Sequence, residues 1–150
     1  MQYWLMKSEP DAFSIDDLAR VEIEPWDGVR NYQARNMLRD QMQIGDQVFF
    51  YHSNCEIPGI VGIAEIATTG YPDDTAQNPD AKYYDPKSTA ENPRWYRVDV
   101  KFVRKLKRTI SLNELKANPT LTEIPLVRKG NRLSVMPVAA QHWHDILALE

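Results

Sequence analysis

The chain has 150 residues, a formal net charge of −3, 43% hydrophobic residues and 26% charged residues. These values predict one domain over residues 1–150, whose core is large enough to fold without disulfides or metal ions. Cys55 is the only cysteine, which excludes an internal disulfide and a zinc site built from several cysteines. No apolar run approaches the roughly 20 residues of a membrane span. The N-terminal residues also lack the apolar stretch of a secretion signal. We therefore expect a cytoplasmic protein with no membrane association, no metal and no cofactor.

The first half of the chain predicts helices and strands in alternation. Residues 2–7 form a short strand, and Ser14 opens a capping box with Asp17 that begins a short helix. Asn31 is placed to cap a second helix that runs to about residue 42. Two apolar runs, 47–52 and 60–66, flank a Pro-Gly break and predict an antiparallel hairpin.

The second half begins with a polar stretch, 68–93, rich in Pro, Asp and Asn. A loop of this length inside a compact domain is often functional. Residues 96–103 alternate between apolar and polar side chains, as in a half-buried antiparallel strand. A second capping box, 111–114, begins a short helix that ends before residue 118. We expect a last strand at 132–135 and place Pro137 in the first turn of a closing helix. Short strands with small inserted helices predict an α+β fold built on a small mixed barrel.

Charge is distributed unevenly along the chain. Residues 94–132 contain 11 Lys and Arg but only 3 Asp and Glu. Such asymmetry is compatible with a polyanion docking on one face. On charge alone, an ordinary solvated surface is the preferred interpretation.

Two pairs of residues could support catalysis. Lys7 and Glu9 lie two apart on one face of a strand and could form an acid–base pair or an ordinary ion pair. His52 and Cys55 could form a nucleophilic pair, but no third residue that would orient them is identifiable. The chain contains no glycine-rich phosphate loop, HExxH or GxSxG motif. An enzyme that acts on a nucleotide or modified base remains the alternative hypothesis.

Aromatic and polar side chains gather at the ends of the predicted elements. Flat rings at such positions can stack on a nucleobase, although they can equally fill a core. The aromatic residues in this set are Trp26, Tyr32, Tyr51, Trp95 and Tyr96. Polar residues that could meet a base edge are Asp27, Asn31, Asn36 and Ser53, and a possible phosphate track is Arg30, Arg35 and Arg39.

Several short motifs together resemble the EVE domain family. They are residues 7–10 (KSEP), 26–36 (WDGVRNYQARN), 45–46 followed by 50–53 (FYHS), 59–62 (GIVG) and 132–135 (RLSV). The resemblance implies a PUA-like fold related to YTH domains, a compact β-barrel with peripheral short helices. It also implies a pocket for a modified or flipped base, with no demonstrated reaction in most members.

The resemblance to YTH domains assigns roles to particular residues. Trp26 matches the first tryptophan of the YTH aromatic cage, and Asp27 lies where the neighbouring YTH residue contacts the base. Lys7 and Ser8 match the Lys-Ser at the end of the first YTH strand, and Arg128 resembles a phosphate-contacting position. The second wall of the cage is left open among Trp95, Tyr83 and Tyr84.

We therefore predict a non-catalytic binding module for RNA or DNA with modified bases. The expected ligand-binding residues are Lys7, Ser8, Trp26, Asp27, Arg30, Asn31, Tyr32, Arg35, Asn36, His52, Ser53 and Trp95. The expected backbone-binding residues are Arg97, Lys101, Arg104, Lys105, Arg128, Lys129 and Arg132. Because a turn residue at a pocket rim contributes little to a core, we expect Trp26→Ala to abolish binding and leave the fold intact.

Overall fold

Eight strands and four α-helices form the fold of the computed structural model, which describes residues 1–150. The strands are β1 (Tyr3–Ser8), β2 (Ile23–Pro25), β3 (Gln47–His52), β4 (Gly59–Ile66), β5 (Tyr71–Pro72), β6 (Tyr96–Arg97), β7 (Asp99–Ser111) and β8 (Val135–Val138). The helices are α1 (Ile15–Val21), α2 (Tyr32–Asn36), α3 (Leu112–Ala117) and α4 (Ala140–Leu147). A π-helical turn, Met37–Gln41, continues α2, and short 3-10 turns occupy Asp74–Gln77, Pro119–Leu121 and Pro125–Val127.

Six strands form one curled sheet in the order β2-β7-β4-β3-β1-β8. The β1–β3 pair is parallel and the other pairs are antiparallel. β5 and β6 form a separate two-stranded ribbon. The predicted α+β class is confirmed. The sheet forms a half-barrel whose free edges are β2 and β8.

Both faces of the sheet are buried. Trp4, Met6 and Phe50 belong to one apolar cluster, which α1 covers with Leu18 and the π-helical turn after α2 covers with Leu38. Leu5 and Phe49 belong to the other, where Phe49 stacks on Trp143 of α4 with ring centroids 3.8 Å apart. Successive strand residues point to opposite faces, so burial of both faces explains the continuous apolar runs in β1, β3 and β4.

Three of the predicted helix starts, at Ser14, Asn31 and Ser111, are confirmed by their caps. The Ser14 side chain accepts a hydrogen bond from Asp17 N, and the Asp17 carboxylate accepts one from Ser14 N. Asn31 accepts from Ala34 N at the start of α2, and Ser111 accepts from Glu114 N at the start of α3. Each cap satisfies a backbone donor that has no partner within the helix.

Three features differ from the sequence-based expectation. The strand expected at 96–103 divides into β6, which pairs with β5, and β7, which continues to Ser111. The polar stretch 68–93 contains β5 and a 3-10 turn. Trp26 is only 8% exposed and belongs to the core cluster around Phe50, so its expected independence from the fold is wrong.

The C-terminal strand also lies later than expected. Residues 132–134 are not in a strand, and Pro137 lies in β8 opposite Trp4 instead of in α4. An edge strand tolerates proline because one side of it needs no backbone donor. The shift allows Val135, Met136 and Val138 to be buried. No helix of the structure combines the length and apolar character needed to cross a membrane.

Candidate nucleic-acid interface

The segment from Trp26 to Arg30 leaves edge strand β2 and turns sharply. Trp26 N donates to Val98 O at 2.8 Å, which keeps the start of the segment against the sheet. Gly28 has a φ of +79°, a conformation that glycine adopts without steric cost. Gly28 N then donates to the Asp73 carboxylate at 2.9 Å.

Asp73 is fully buried and joins this segment to the 72–77 region. Its carboxylate accepts from Gly28 N, from the Arg30 guanidinium at 3.0 Å, and from the backbone and hydroxyl of Thr75. Burial alone would raise the pKa of Asp73. The hydrogen bonds from Thr75, Gly28 and Arg30 outweigh that effect and hold the pKa below its usual value. The charged carboxylate is therefore part of the folded structure.

A cavity of about 630 Å³ opens beside Trp26, and we call it the Trp26 cleft. Glu24 and Pro25 of edge strand β2 line one part of it, and Ser134, just before edge strand β8, lines another. The cleft thus lies where the two free edges of the sheet approach each other. The residues from the predicted site that line it are Lys7, Ser8, Trp26, Asp27, Arg30, Ser53 and Arg132.

The Trp26 cleft has three aromatic side chains in its lining, Phe13, Trp26 and Tyr83. Trp26 meets Phe50 edge to face with centroids 5.5 Å apart, which fixes its ring against the core. Tyr83 lies over the Gly28 turn so closely that a Cβ on Gly28 would be 2.9 Å from its ring. Of the three candidates for a second wall, Tyr83 is the one in the cleft lining.

Trp95 lies behind this wall. Its indole N–H donates to Asp85 at 2.7 Å, and its ring stacks on Tyr32 with centroids 4.7 Å apart. The Arg30 guanidinium lies 5.6 Å from the Trp95 centroid and 5.9 Å from that of Tyr83. Arg30 therefore connects the two aromatic groups while it also binds Asp73.

Acidic and basic groups in the Trp26 cleft are partly desolvated. Asp27 is exposed to solvent, but burial by the surrounding protein and then the nearby Asp73 charge still raise the pKa of its carboxyl. Burial likewise raises the pKa of Glu24 and lowers the pKa of Lys7. The cleft therefore presents donors and acceptors beside an aromatic face, with Lys7 and Glu24 partly buried and Asp27 open to solvent, as a pocket that reads the edge of a base requires.

Four predicted ligand residues instead support the surrounding backbone or side chains. Asn31 caps α2, and Asn36 accepts from the Arg35 guanidinium at 3.0 Å. The Arg35 guanidinium also lies 4.9 Å from the Tyr32 centroid and donates to Arg94 O. His52 Nε2 accepts from Ile15 N at 3.1 Å, and burial lowers the pKa of His52.

The suggested catalytic pairs have other partners. Glu9 accepts from the Asn54 side chain at 3.1 Å and forms no salt bridge with Lys7. His52 uses its ring nitrogen to hold the start of α1. No group of three or more His, Cys, Asp and Glu residues is arranged to hold a metal ion.

A second cavity, of about 610 Å³, shares Lys7 with the Trp26 cleft, and we call it the basic cavity. Its charged lining residues are Lys7, Lys116, Arg128 and Lys129, and no acidic residue lines it. Tyr51 lies beneath it, with the Lys7 ammonium 5.7 Å from the ring centroid.

The basic residues predicted to bind a nucleic-acid backbone fall into two groups, those that form no salt bridge and those that pair with an acidic residue. Arg128 and Lys129 line the basic cavity, and Arg132 lines the Trp26 cleft. Lys101 is exposed on β7. Acidic partners occupy the rest: Arg97 pairs with Asp73 and Asp74, Arg104 with Glu150, and Lys105 with Asp16.

Sequence reasoning missed several residues of this region. Glu24 and Pro25 belong to a strand of only three residues, which leaves no periodic signal. Lys82 lies in a segment without a motif, and Ser134 lies in the 132–135 motif, in which nothing distinguishes it as a cleft residue. Asp73 could have been noticed, because an Asp two residues before a Thr is a common side-chain turn.

Comparison with known proteins supplies independent information. The family model described as EVE domain matches residues 2–149. Rat thymocyte nuclear protein 1 is 46% identical, over 99% of this chain and 73% of that protein. A crystal structure from Pseudomonas syringae shares 56% identity and a TM-score of 0.95, covering 98% of both chains. The human THYN1 protein, crystallised in complex with 5-methylcytosine containing DNA, shares 42% identity and a TM-score of 0.94 over 99% of this chain and 97% of that chain.

Proposed function

The chain belongs to the EVE domain family, and from this membership we propose that it is a non-catalytic module that binds nucleic acid and holds a modified base in the Trp26 cleft. The observation that carries the proposal is the cleft itself, in which the Trp26 ring and the Asp27 carboxyl lie side by side at the open edge of the sheet. The human relative crystallised with 5-methylcytosine DNA supports the choice of ligand class. Binding of RNA and a cytoplasmic location remain predictions.

Trp26 would supply the stacking surface for the base. Base stacking on an aromatic side chain contributes about 1–3 kcal/mol. Because Phe50 fixes the indole ring edge to face, little side-chain entropy is lost when a base binds. Tyr83 would enclose the base from the side of the Gly28 turn.

Asp27 would read the edge of the base. Carboxylates accept hydrogen bonds from the exocyclic amino group of cytosine. Thymine has a carbonyl oxygen at that position, so a carboxylate there would repel it. The same arrangement gives a preference for 5-methylcytosine over thymine, although both bases carry the same methyl group.

This comparison of bases provides the test. We expect a short single-stranded DNA with one 5-methylcytosine to bind more tightly than the same strand with thymine at that position. Asp27→Asn should remove about 1–3 kcal/mol of this difference, because an amide lacks the negative charge and presents donors as well. Fluorescence anisotropy at fixed salt would measure both affinities.

Asp80→Asn is the matched control, since Asp80 is an exposed acid that lines neither cavity. The Asp80→Asn protein should keep the full difference in affinity between the 5-methylcytosine and thymine strands. If Asp27→Asn binds both strands with the same ratio as the unmodified protein, Asp27 does not read the base. If the unmodified protein does not distinguish the two strands, base recognition in the Trp26 cleft is wrong.

A further inference from the structure

Glu24 lies beside Trp26 on the same face of edge strand β2. It pairs with Val100 of β7, and the side chains of directly opposed residues point to the same face of a sheet. Trp26 follows two residues later and continues the pairing, since its N–H donates to Val98 O at 2.8 Å. The Glu24 side chain therefore shares a face with Trp26 and two valines, all of which are buried in one apolar cluster.

The Glu24 carboxyl has no partner within the chain. It is half-buried, lines the Trp26 cleft, and takes part in no salt bridge or side-chain hydrogen bond. Glu9, which lines the same cleft, accepts instead from the Asn54 side chain at 3.1 Å. A polar group that is partly removed from water without a partner is costly, so a ligand that bonds to Glu24 removes this cost.

The charges around Glu24 favour its protonated form. Burial, and then the negative charges of Asp27 and Asp99, raise the pKa of its carboxyl. None of the cations on the surrounding elements pairs with it, and Arg20 and Arg30 bind Asp17 and Asp73 instead. These cations are Arg20 of α1, Lys101 of β7 and, in the cleft lining, Lys7, Arg30, Lys82 and Arg132.

We propose that Glu24 is a second base-reading residue of the Trp26 cleft, which donates a hydrogen bond from its protonated carboxyl to the ring nitrogen N3 of a bound cytosine. The assignment rests on the proposed function, in which the Asp27 carboxylate accepts from the amino group of the same base. The Watson–Crick edge of cytosine places that amino donor next to the N3 acceptor. An acceptor and a donor side by side complement this edge, and one proton shared by the two carboxyls supplies both.

The same pair of carboxyls discriminates against thymine. Thymine has a carbonyl oxygen in place of the amino group and an N–H at position 3. With the proton on Glu24, an acceptor would face the carbonyl oxygen and a donor would face the N–H. Binding of cytosine therefore takes up a proton, whereas binding of thymine gains nothing from it.

Affinity measured as a function of pH tests this role. We expect the unmodified protein to bind the single-stranded 5-methylcytosine DNA more tightly as the pH falls from about 8 to about 6, by up to about tenfold per pH unit, because one proton is taken up on binding. The thymine strand should show a much weaker dependence. Fluorescence anisotropy at fixed salt would measure both series.

Glu24→Gln is the diagnostic variant. The Gln amide donates to N3 at every pH and does not titrate in this range. Affinity for the 5-methylcytosine strand should become nearly independent of pH and should exceed that of the unmodified protein at pH 8. A role of Glu24 in packing alone would change the affinity by the same factor at every pH.

The matched control is Glu22→Gln, which removes a carboxylate two residues away that is exposed and lines neither cavity. It should keep the pH dependence of the unmodified protein. If Glu24→Gln retains that dependence, or Glu22→Gln loses it as well, Glu24 does not read the base.

A strand with 3-deaza-5-methylcytosine, in which a C–H group replaces N3, identifies the contacted atom. It should bind the unmodified protein more weakly and without the pH dependence, and an unchanged dependence would overturn the contact with N3. If the unmodified protein prefers 5-methylcytosine to thymine but its affinity does not vary with pH, the role of Glu24 is wrong and the proposed function stands. If it does not distinguish the two strands at any pH, both are wrong.

Discussion

Trp26 serves both the core and the cleft. Its ring lines the Trp26 cleft but is only 8% exposed and packs against Phe50. A loss of binding in Trp26→Ala could therefore reflect loss of the fold as well as loss of a stacking surface. The sequence suggested a rim position because Trp26 precedes a Gly turn and does not lie in an apolar run.

We predict that Trp26→Ala lowers the free energy of unfolding by about 3–5 kcal/mol, the usual cost of removing a large buried aromatic side chain. Urea denaturation followed by circular dichroism would measure it. Trp26→Phe retains a ring against Phe50 and should lose much less. An unchanged urea midpoint in Trp26→Ala would show that Trp26 is not a core residue.

At the scale of elements, the π-helical turn after α2 lies against the chain that follows β4. A Cβ on Gly70 would be 2.3 Å from Leu38 O and 2.8 Å from the Arg39 Cα. These are backbone atoms, which cannot move aside as the end of a flexible side chain can. The close approach couples the 37–41 turn to the loop that leads to β5.

Gly70→Ala should therefore destabilise the protein by about 1–3 kcal/mol, as overpacking does elsewhere. The thermal midpoint would show the loss. Thr69→Ala changes an exposed neighbour and should have little effect. If the Gly70→Ala protein is as stable as the Thr69→Ala protein, the 37–41 turn and the loop that leads to β5 can move apart without a loss of stability.

Local signals predicted those elements that they determine by themselves. The caps at Ser14, Asn31 and Ser111 and the hairpin of β3 and β4 follow from short-range patterns. The signal at Pro137 was ambiguous, because proline suits both a first helical turn and an edge strand. Pairing with β1 decided between them, and such pairing is a property of the whole sheet.

The candidate site was predictable to a similar extent. The motif from Trp26 to Arg30 indicated one wall of the cleft. Lys7 and Ser8 were also predicted, and they line the cleft as well. Glu24 and Tyr83 join them only because the chain folds back over many residues. No spacing in the sequence encodes that approach.

At the scale of the whole molecule, Asp73 connects the 67–95 segment to the sheet. Because folding lowers its pKa, the ionised carboxylate stabilises the fold at every pH above its usual value of about 3.9. That contribution is lost as the pH falls through the lowered pKa of the folded state. Asp27 has the opposite effect. Because folding raises its pKa, its ionised form destabilises the folded state, and protonation at low pH removes this destabilisation.

We predict that Asp73→Asn lowers the free energy of unfolding by about 3 kcal/mol at pH 7, because Arg30 loses its buried partner. The difference from the unmodified protein should shrink at pH 3, below the usual pKa of Asp, because the unfolded chain binds a proton at Asp73 there and the charge stabilises the fold less. Urea unfolding at both pH values would measure this. Asp74→Asn, at an exposed neighbouring acid, should show neither effect, and a difference that is constant with pH would contradict the role of the charge.

The two free edges of the half-barrel have a further consequence for how the protein behaves among other chains. An unpaired strand edge can recruit strands from neighbouring molecules and so start aggregation or domain swapping. Here the edges are short, three residues in β2 and four in β8, and each contains a proline, Pro25 and Pro137. Proline offers no backbone donor to an incoming strand. The space between the two free edges can therefore stay open in a crowded solution without promoting aggregation with other polypeptides.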